Sequence, residues 1–345
     1  MKKIIVIGNS PAGVKAVERI RSTDQESPIA IYSEESALPY NRFLFLDLLA
    51  NTVKEADVLY QPESFYKKIN VEVCLERKLV RVTPKRNKAV FENKKEEKEE
   101  VSFDLLILAN APTKLPDIKG NNRAGVFGLR RFTEAQEILR NIPLVETIVV
   151  QSETLWGLTI VEALRKRNKE VIWIHPSKSL FGSTLDEQTS ASLKQSLEAR
   201  GIRVLEDTSI TEILGDSDAK AIRLKSGKVM GADMIIFPDS GPDLKIYTDG
   251  GLAVGQRLKI NENFQASAEN VFALDEIGDF PAAYPALSLE TSLALLEEQG
   301  KVAASAILGQ PQAFSLTASP SSLSDELEKR LTAAPAAASA SESNG

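Results

Sequence analysis

Four consecutive apolar residues, Ile4 to Ile7, run into the turn Gly8-Asn9-Ser10-Pro11-Ala12-Gly13 and then into Val14 to Ile20, whose apolar positions recur at helical spacing. Ile29 to Tyr32 is a second short apolar run. The order predicts a buried strand, a turn, a helix and another strand, the βαβ unit from which parallel sheets are built. The pattern returns roughly 140 residues later, with Thr147 to Val150 as strand, Gln151 to Gly157 as turn, Leu158 to Arg167 as amphipathic helix and Val171 to Ile174 as strand. Two such units so far apart predict two nucleotide-type domains rather than one long sheet.

Shorter β signals follow each unit. After the first come Val71 to Leu75, Leu79 to Val82 and Ala89 to Phe91, then Val101 and Phe103 leading into Leu105 to Leu108. After the second, Ile202 to Leu205, Ala221 to Leu224 and Met234 to Phe237 repeat the order, and Val271 to Leu274 precedes a helix from about Leu287 to Ile307. The run Lys94 to Glu100 nearly cancels its own charge and predicts a solvated hairpin tip. From Gly309 the chain turns Ala-, Ser- and Pro-rich. Apart from a short helix around Asp325 to Leu331, that composition predicts a disordered tail.

The 345 residues, 43% of them hydrophobic, suffice for two cores. A formal charge of −6 argues against the broad basic surface that nucleic acid requires. The single cysteine, Cys74, lies in an apolar run and is expected as a small core residue; alone it supplies neither an intrachain disulfide nor a multi-cysteine metal site. The apolar run after Met1-Lys2-Lys3 is too short for a signal peptide or a membrane span, so a soluble, cytoplasmic protein is expected.

A helix N-terminus attracts a dinucleotide's pyrophosphate through its unpaired N–H groups and its dipole, and glycines in the turn let the phosphates approach. Gly8 and Gly13 supply the outer positions of G-x-G-x-x-G, while Ser10 holds the middle one with a hydroxyl able to donate. Glu35 lies 22 residues beyond Gly13, where an acid that binds ribose is expected. A structural turn in an unrelated α/β sheet is the plainer alternative.

With these residues in view, positions 1 to 309 resemble the FAD-dependent pyridine nucleotide-disulfide oxidoreductase superfamily. The likeness is greatest to its cysteine-independent branch of rubredoxin reductases, nitrite reductase flavin domains and NADH oxidases. Glu35-Ser36-Ala37-Leu38-Pro39-Tyr40-Asn41-Arg42 is similar to that group's E-x-x-x-P-Y-x-R segment, and Phe103 to Ala111 to its Y-D-x-L-I-L-A-T-G stretch, with Asn110 and Ala111 in place of Thr and Gly. Pro116 to Gly120 and Gly125 to Arg130 resemble the lead into the nicotinamide domain. Asn270-Val271-Phe272-Ala273-Leu274-Asp275-Glu276 is similar to N-V-F-A-x-G-D, whose acid binds the ribityl chain, and Gln299 to Ala304 resembles the helix that follows. Asp275 replaces the glycine and adds a carboxylate expected to repel phosphates.

The resemblance implies an α/β fold of two Rossmann-like three-layer nucleotide-binding domains, the second inserted in the first, each with a small β-meander. The implied boundaries are 1–115 with 246–309 for FAD, 116–245 for a domain like those that bind NAD(P), and 310–345 for the tail. The implied FAD-binding positions are Gly8, Ser10, Ala12, Gly13, Glu35, Arg42, Leu79, Ala109 and Glu276. The corresponding nicotinamide turn is altered to Ser152-x-Thr154-x-x-Gly157, with Glu153 inside it. Side chains and a carboxylate there disfavour NAD(P)H. His175, the only histidine, follows the second strand as either a backbone-bonded strand end or, functionally, an altered nucleotide contact or a proton donor.

No cysteine pair is available for disulfide chemistry, so electrons would pass directly from flavin to an acceptor. The implied function is an FAD-dependent oxidoreductase carrying electrons from NAD(P)H to oxygen, a rubredoxin or another iron–sulfur protein. The alternative is a divergent flavin-binding or cofactor-poor subunit or scaffold that has lost nicotinamide turnover. A third class, a single-cofactor dehydrogenase or methyltransferase, would not need the chain near Glu276 to return to the first domain. The catalytic residue, the oligomeric state and the choice between NADH and NADPH stay open.

Overall fold

The computed structural model describes residues 1–109, 114–279 and 289–315. Asn110, Ala111, the first residues expected of the 287–307 helix, and the tail beyond 315 lie outside the described residues. Among those described, 1–109, 114, 130–137, 240–279 and 289–315 pack as one compact unit, and 115–129 with 138–239 as another.

In chain order the first unit begins with β1 (Ile4–Ile7), α1 (Pro11–Arg21), β2 (Ile29–Tyr32), α2 (Phe45–Ala50), α3 (Glu63–Lys68), β3 (Glu72–Cys74), β4 (Lys78–Thr83), β5 (Lys88–Glu92), β6 (Lys98–Ser102) and β7 (Leu105–Leu108). Then come β8 (Val126–Phe127), α4 (Phe132–Asn141), β9 (Thr147–Gln151), α5 (Leu155–Arg165), β10 (Glu170–His175), α6 (Glu187–Ala199), β11 (Ile202–Glu206), β12 (Ile210–Leu214), β13 (Ala221–Leu224), β14 (Val229–Gly231) and β15 (Met234–Ile236). The chain returns to the first unit with α7 (Lys245–Asp249), β16 (Val271–Ala273) and α8 (Leu289–Ile307).

The first unit's sheet runs β16-β7-β1-β2-β3, all parallel, with Val6 opposite Ile31 and Ile107. Every residue of β1, β2 and β7 is buried, because both faces of the sheet are covered; a one-face alternation would have left half of them polar. Val6, Val17, Ile31, Ile107 and Val302 form the core under α1 and α8. Ile5, Tyr32, Leu106 and Val271 pack on the opposite face with the antiparallel meander β4-β5-β6, where Phe91 stacks on Tyr32 at 4.1 Å. The architecture is therefore the expected three-layer one.

Local chemistry places α1 and α8. Ser10 caps α1 by accepting the Ala12 N–H at 3.3 Å, Pro11 supplies a first-turn residue that needs no donor, and Arg19 and Arg21 sit at the C-terminal end of the dipole. On α8, a Cβ built at Gly300 would lie 2.3 Å from the Ala12 carbonyl oxygen and 2.9 Å from the Ala16 nitrogen. The helices cross at a distance only glycine allows.

The second unit repeats the plan with a parallel sheet β11-β10-β9-β15-β8 and an antiparallel meander β12-β13-β14. Val149, Ile172 and Ile174 from the sheet share a core with Ile213 and Ile222 from the meander. The expected helix from Leu158 begins earlier, at Leu155, because the Thr154 hydroxyl caps it from outside. In the charged run only the first part is a tip: Asn93 Oδ1 accepts the N–H groups of Lys95 and Glu97, whereas Lys98, Glu99 and Glu100 are paired strand residues of β6. Their exposed charges protect a sheet edge. Helix α6 had no clear sequence signal, since it buries only Ser190, Leu193 and Leu197.

Candidate functional site: two turns and their carboxylates

Gly8 leaves β1 with φ 115°, a conformation that favours glycine, and its N–H donates to the Tyr32 carbonyl at 2.9 Å. A Cβ on Gly13 would stand 2.7 Å from Ala109 Cβ and 2.9 Å from Val6 Cγ1, so Gly13 seats α1 against the sheet. Ala109 in turn donates its N–H to Ile7 at 2.8 Å. The Ser10 hydroxyl accepts the Ala12 N–H, and next to it the buried Asn9 Oδ1 is an acceptor with no partner among the described residues.

Glu35 is 4% exposed. Its Oε1 accepts the Tyr40 hydroxyl at 2.6 Å, and its Oε2 accepts the N–H of Phe132 at 3.0 Å and of Thr133 at 3.5 Å. The carboxylate thus closes the N-terminus of α4, and burial, opposed by these donors, pushes its pKa up to about 7. Its neighbour Glu34 meets Arg131 at 3.5 Å. Both acids line a cavity of about 280 Å³ whose wall also includes Gly8, Lys78, Leu79 and Tyr247.

Arg42 makes two hydrogen bonds to Asp275, at 2.8 and 3.1 Å, and lies 3.0 Å from Glu276 Oε1. Arg130 binds Glu276 Oε2, and Arg257 donates to the Glu276 carbonyl. Asp275, 6% exposed and at φ 59°, has its own N–H held by Gln299 Oε1 at 2.6 Å. Ser10, Arg42, Arg130 and Asp275 line one small pocket of about 10 Å³. The turn at one end of the sequence and the acidic segment near the other therefore meet within the first unit, and the Asp275 charge expected to repel phosphate is matched by Arg42.

These residues fit FAD unequally. The cavity beside Gly8, Glu34 and Leu79 has room for an adenosine. At the start of α1 a diphosphate finds the guanidiniums of Arg42 and Arg130, which it would share with, or take from, Asp275 and Glu276. Residues 110–113 and 280–288 are outside the described set.

In the second unit, Ser152 is 2% exposed and its carbonyl accepts Trp173 Nε1 at 3.0 Å. Thr154 caps α5 by accepting the Gly157 N–H at 3.4 Å, and a Cβ on Gly157 would overlap the Ser152 hydroxyl. Three donors of this turn are already taken by Asp239, and the Thr154 N–H is held by the Ser152 hydroxyl at 3.1 Å. Asp239 Oδ1 accepts the hydroxyls of Ser152 at 2.9 Å and Thr154 at 2.6 Å, and its Oδ2 accepts the Glu153 N–H at 2.8 Å. As they stand, these residues do not fit a nicotinamide pyrophosphate. His175 ends β10 with Nδ1 3.5 Å from the Ser177 carbonyl, and burial lowers its pKa, so the ring is neutral near pH 7.

Among the described residues no cluster of His, Cys, Asp and Glu could hold a metal ion, and no helix is long and apolar enough to cross a membrane. Sequence patterns did not reveal the parts played by Tyr40, Phe132 and Asp239. Only Tyr40 had a signal, its place in the P-Y-x-R segment; a backbone N–H and a lone loop carboxylate carry none.

Residues 2–290 match the family described as pyridine nucleotide-disulphide oxidoreductase. The chain is 25% identical over 314 residues to an assimilatory nitrate reductase electron transfer subunit of Bacillus subtilis (strain 168), covering 90% of this chain and 39% of that protein. It is 26% identical over 277 residues to a rubredoxin-NAD(+) reductase of Ectopseudomonas oleovorans, covering 79% and 71% respectively. Among solved structures it is similar to an NAD-dependent persulfide reductase from A. fulgidus, with a TM-score of 0.79 and 22% identity over 90% of this chain and 60% of that one. The chain therefore spans well under half of the first of these relatives.

Proposed function

The chain belongs to the pyridine nucleotide-disulphide oxidoreductase family, and on that premise we propose that it is an FAD-dependent oxidoreductase carrying electrons from NAD(P)H to a small redox protein. Family membership supports the use of both cofactors, and the rubredoxin-NAD(+) reductase among its relatives supports the class of acceptor. The observation that carries the flavin half is the meeting of Ser10, Arg42, Arg130 and Asp275 at the start of α1, next to a cavity of about 280 Å³ at Gly8 and Leu79.

Flavin, when bound, supplies hydride acceptance and stepwise electron release. The chain's own residues bind and orient it. Gly8 and Gly13 would let a diphosphate approach the N-terminus of α1, Leu79 and Glu34 would bound the adenosine, and Arg42 and Arg130 would offset the diphosphate's charge. Cys74 is the only cysteine of this sequence, so these residues supply no thiol pair of their own to relay electrons.

Asp239 favours a second reading, a flavin-binding electron-transfer subunit without nicotinamide turnover. The visible spectrum of the purified protein separates the two. A yellow protein bleached anaerobically by NADH or NADPH, and recoloured by oxidised rubredoxin, is the expected result. Bleaching only by a chemical reductant supports the second reading, and a colourless protein that cannot be reconstituted with FAD overturns both.

A further inference from the structure

The second turn presents three donors in one direction: the Ser152 and Thr154 hydroxyls and the Glu153 N–H. All three point at Asp239, which follows β15 and lies 85 to 87 residues away in the chain. The contact is made at the N-terminal end of α5, an 11-residue helix with Thr154 as its cap, so the carboxylate sits where the helix dipole favours negative charge. Trp173 fixes the Ser152 carbonyl from behind, and the Ser152 N–H donates to Ile174 at 3.1 Å, so the turn is anchored to β10.

We propose that Asp239 is an internal occupant of the second dinucleotide turn, holding the donors a pyrophosphate would use, so that nicotinamide nucleotide binds only in competition with it. The inference rests on the reading of the second unit as the NAD(P)H site, and it names the residue that limits that site. Two things oppose a phosphate arriving here. The three donors must be given up by one anion before they serve another, and the displaced carboxylate stays close by as a like charge. The Asp239 side chain is exposed, so it can swing into solvent; competition rather than permanent closure is the consequence.

The test is calorimetric titration of NADH and of NADPH into the whole protein and its Asp239→Asn, Asp239→Ser and Asp239→Glu variants, with thermal unfolding as a control on folding. Asp239→Asn and Asp239→Ser should bind both nucleotides about tenfold more tightly, the effect expected of removing one nearby charge at a protein surface. Asp239→Glu, which keeps the charge, should gain nothing. Equal or weaker binding by the neutral variants overturns the proposal, and so does a complete lack of binding in all four proteins, since the obstruction would then lie elsewhere in the turn. Should the neutral variants fail to fold, the Glu153 amide resonance of the unaltered protein decides: it must shift on NADH addition, and binding that leaves it unmoved overturns the proposal. The flavin spectrum is a separate readout. A flavoprotein bleached by NADH whose affinity ignores Asp239 sinks this inference alone, whereas a colourless protein sinks the proposed function and leaves the Asp239 comparison standing.

Discussion

Glu35, expected from its distance to a glycine turn to bind ribose, has its carboxylate engaged within the protein. Its two oxygens are committed to Tyr40 and to the first N–H groups of α4, yet desolvation still outweighs these donors and lifts the carboxyl from its usual 4.5 to about 7. The folded protein thus holds this proton more tightly than the unfolded chain does, so stability falls as pH rises from 4.5 to about 7 and stays lowered above it. The window is worth about 3 kcal/mol at 1.36 kcal/mol per pKa unit. Glu35→Gln retains an acceptor for Tyr40 and carries no charge, so the fall in its urea-unfolding free energy across that window should be reduced by about that amount relative to the unaltered protein. An undiminished slope in the variant would assign the titration to another group. The identity of this acid was legible in the sequence; its partners were not, because one is a backbone N–H 97 residues away.

The strands covered on both faces were the most legible elements. All four residues of β1, β2 and β7 are covered, and each reads as an unbroken apolar run; α6 buries three of its 13 residues and leaves almost no pattern. The packing of α8 on α1 depends on a feature no periodicity encodes, the missing side chain of Gly300. On an exposed helix Gly→Ala would stabilise by about 1 kcal/mol through backbone entropy. Here the new methyl meets the Ala12 carbonyl at 2.3 Å, so Gly300→Ala should instead destabilise by about 1–3 kcal/mol, as overpacked cores do. Chemical denaturation distinguishes the two signs. The same variant should weaken flavin retention, since Gln299 on α8 holds the Asp275 N–H beside Arg42.

For the whole molecule, the first unit is completed only when the chain comes back to it. β16 pairs with β7 through Val271–Ala273, and Phe272, Leu274, Leu296 and Val302 fill the core begun by Val6 and Ile31. A chain ending at Asn270 would leave β7 as an apolar sheet edge and α1 without its partner helix. It should aggregate or stay unfolded by circular dichroism and size exclusion; a soluble, cooperatively unfolding product would show that the first unit closes without its returning segment. The sequence alone determined the two βαβ units and the chemical character of both turns, because buried parallel strands and glycine turns are local patterns of residue type, whereas β6, β12 and β14 of the meanders left no such pattern. Only the tertiary structure decided what those turns face: Asp275 matched by Arg42 at one, Asp239 standing on the donors of the other. A charge's effect depends on its distance from other charges and on the water removed around it, and residues 233 and 85 positions apart acquire both only when the chain has folded.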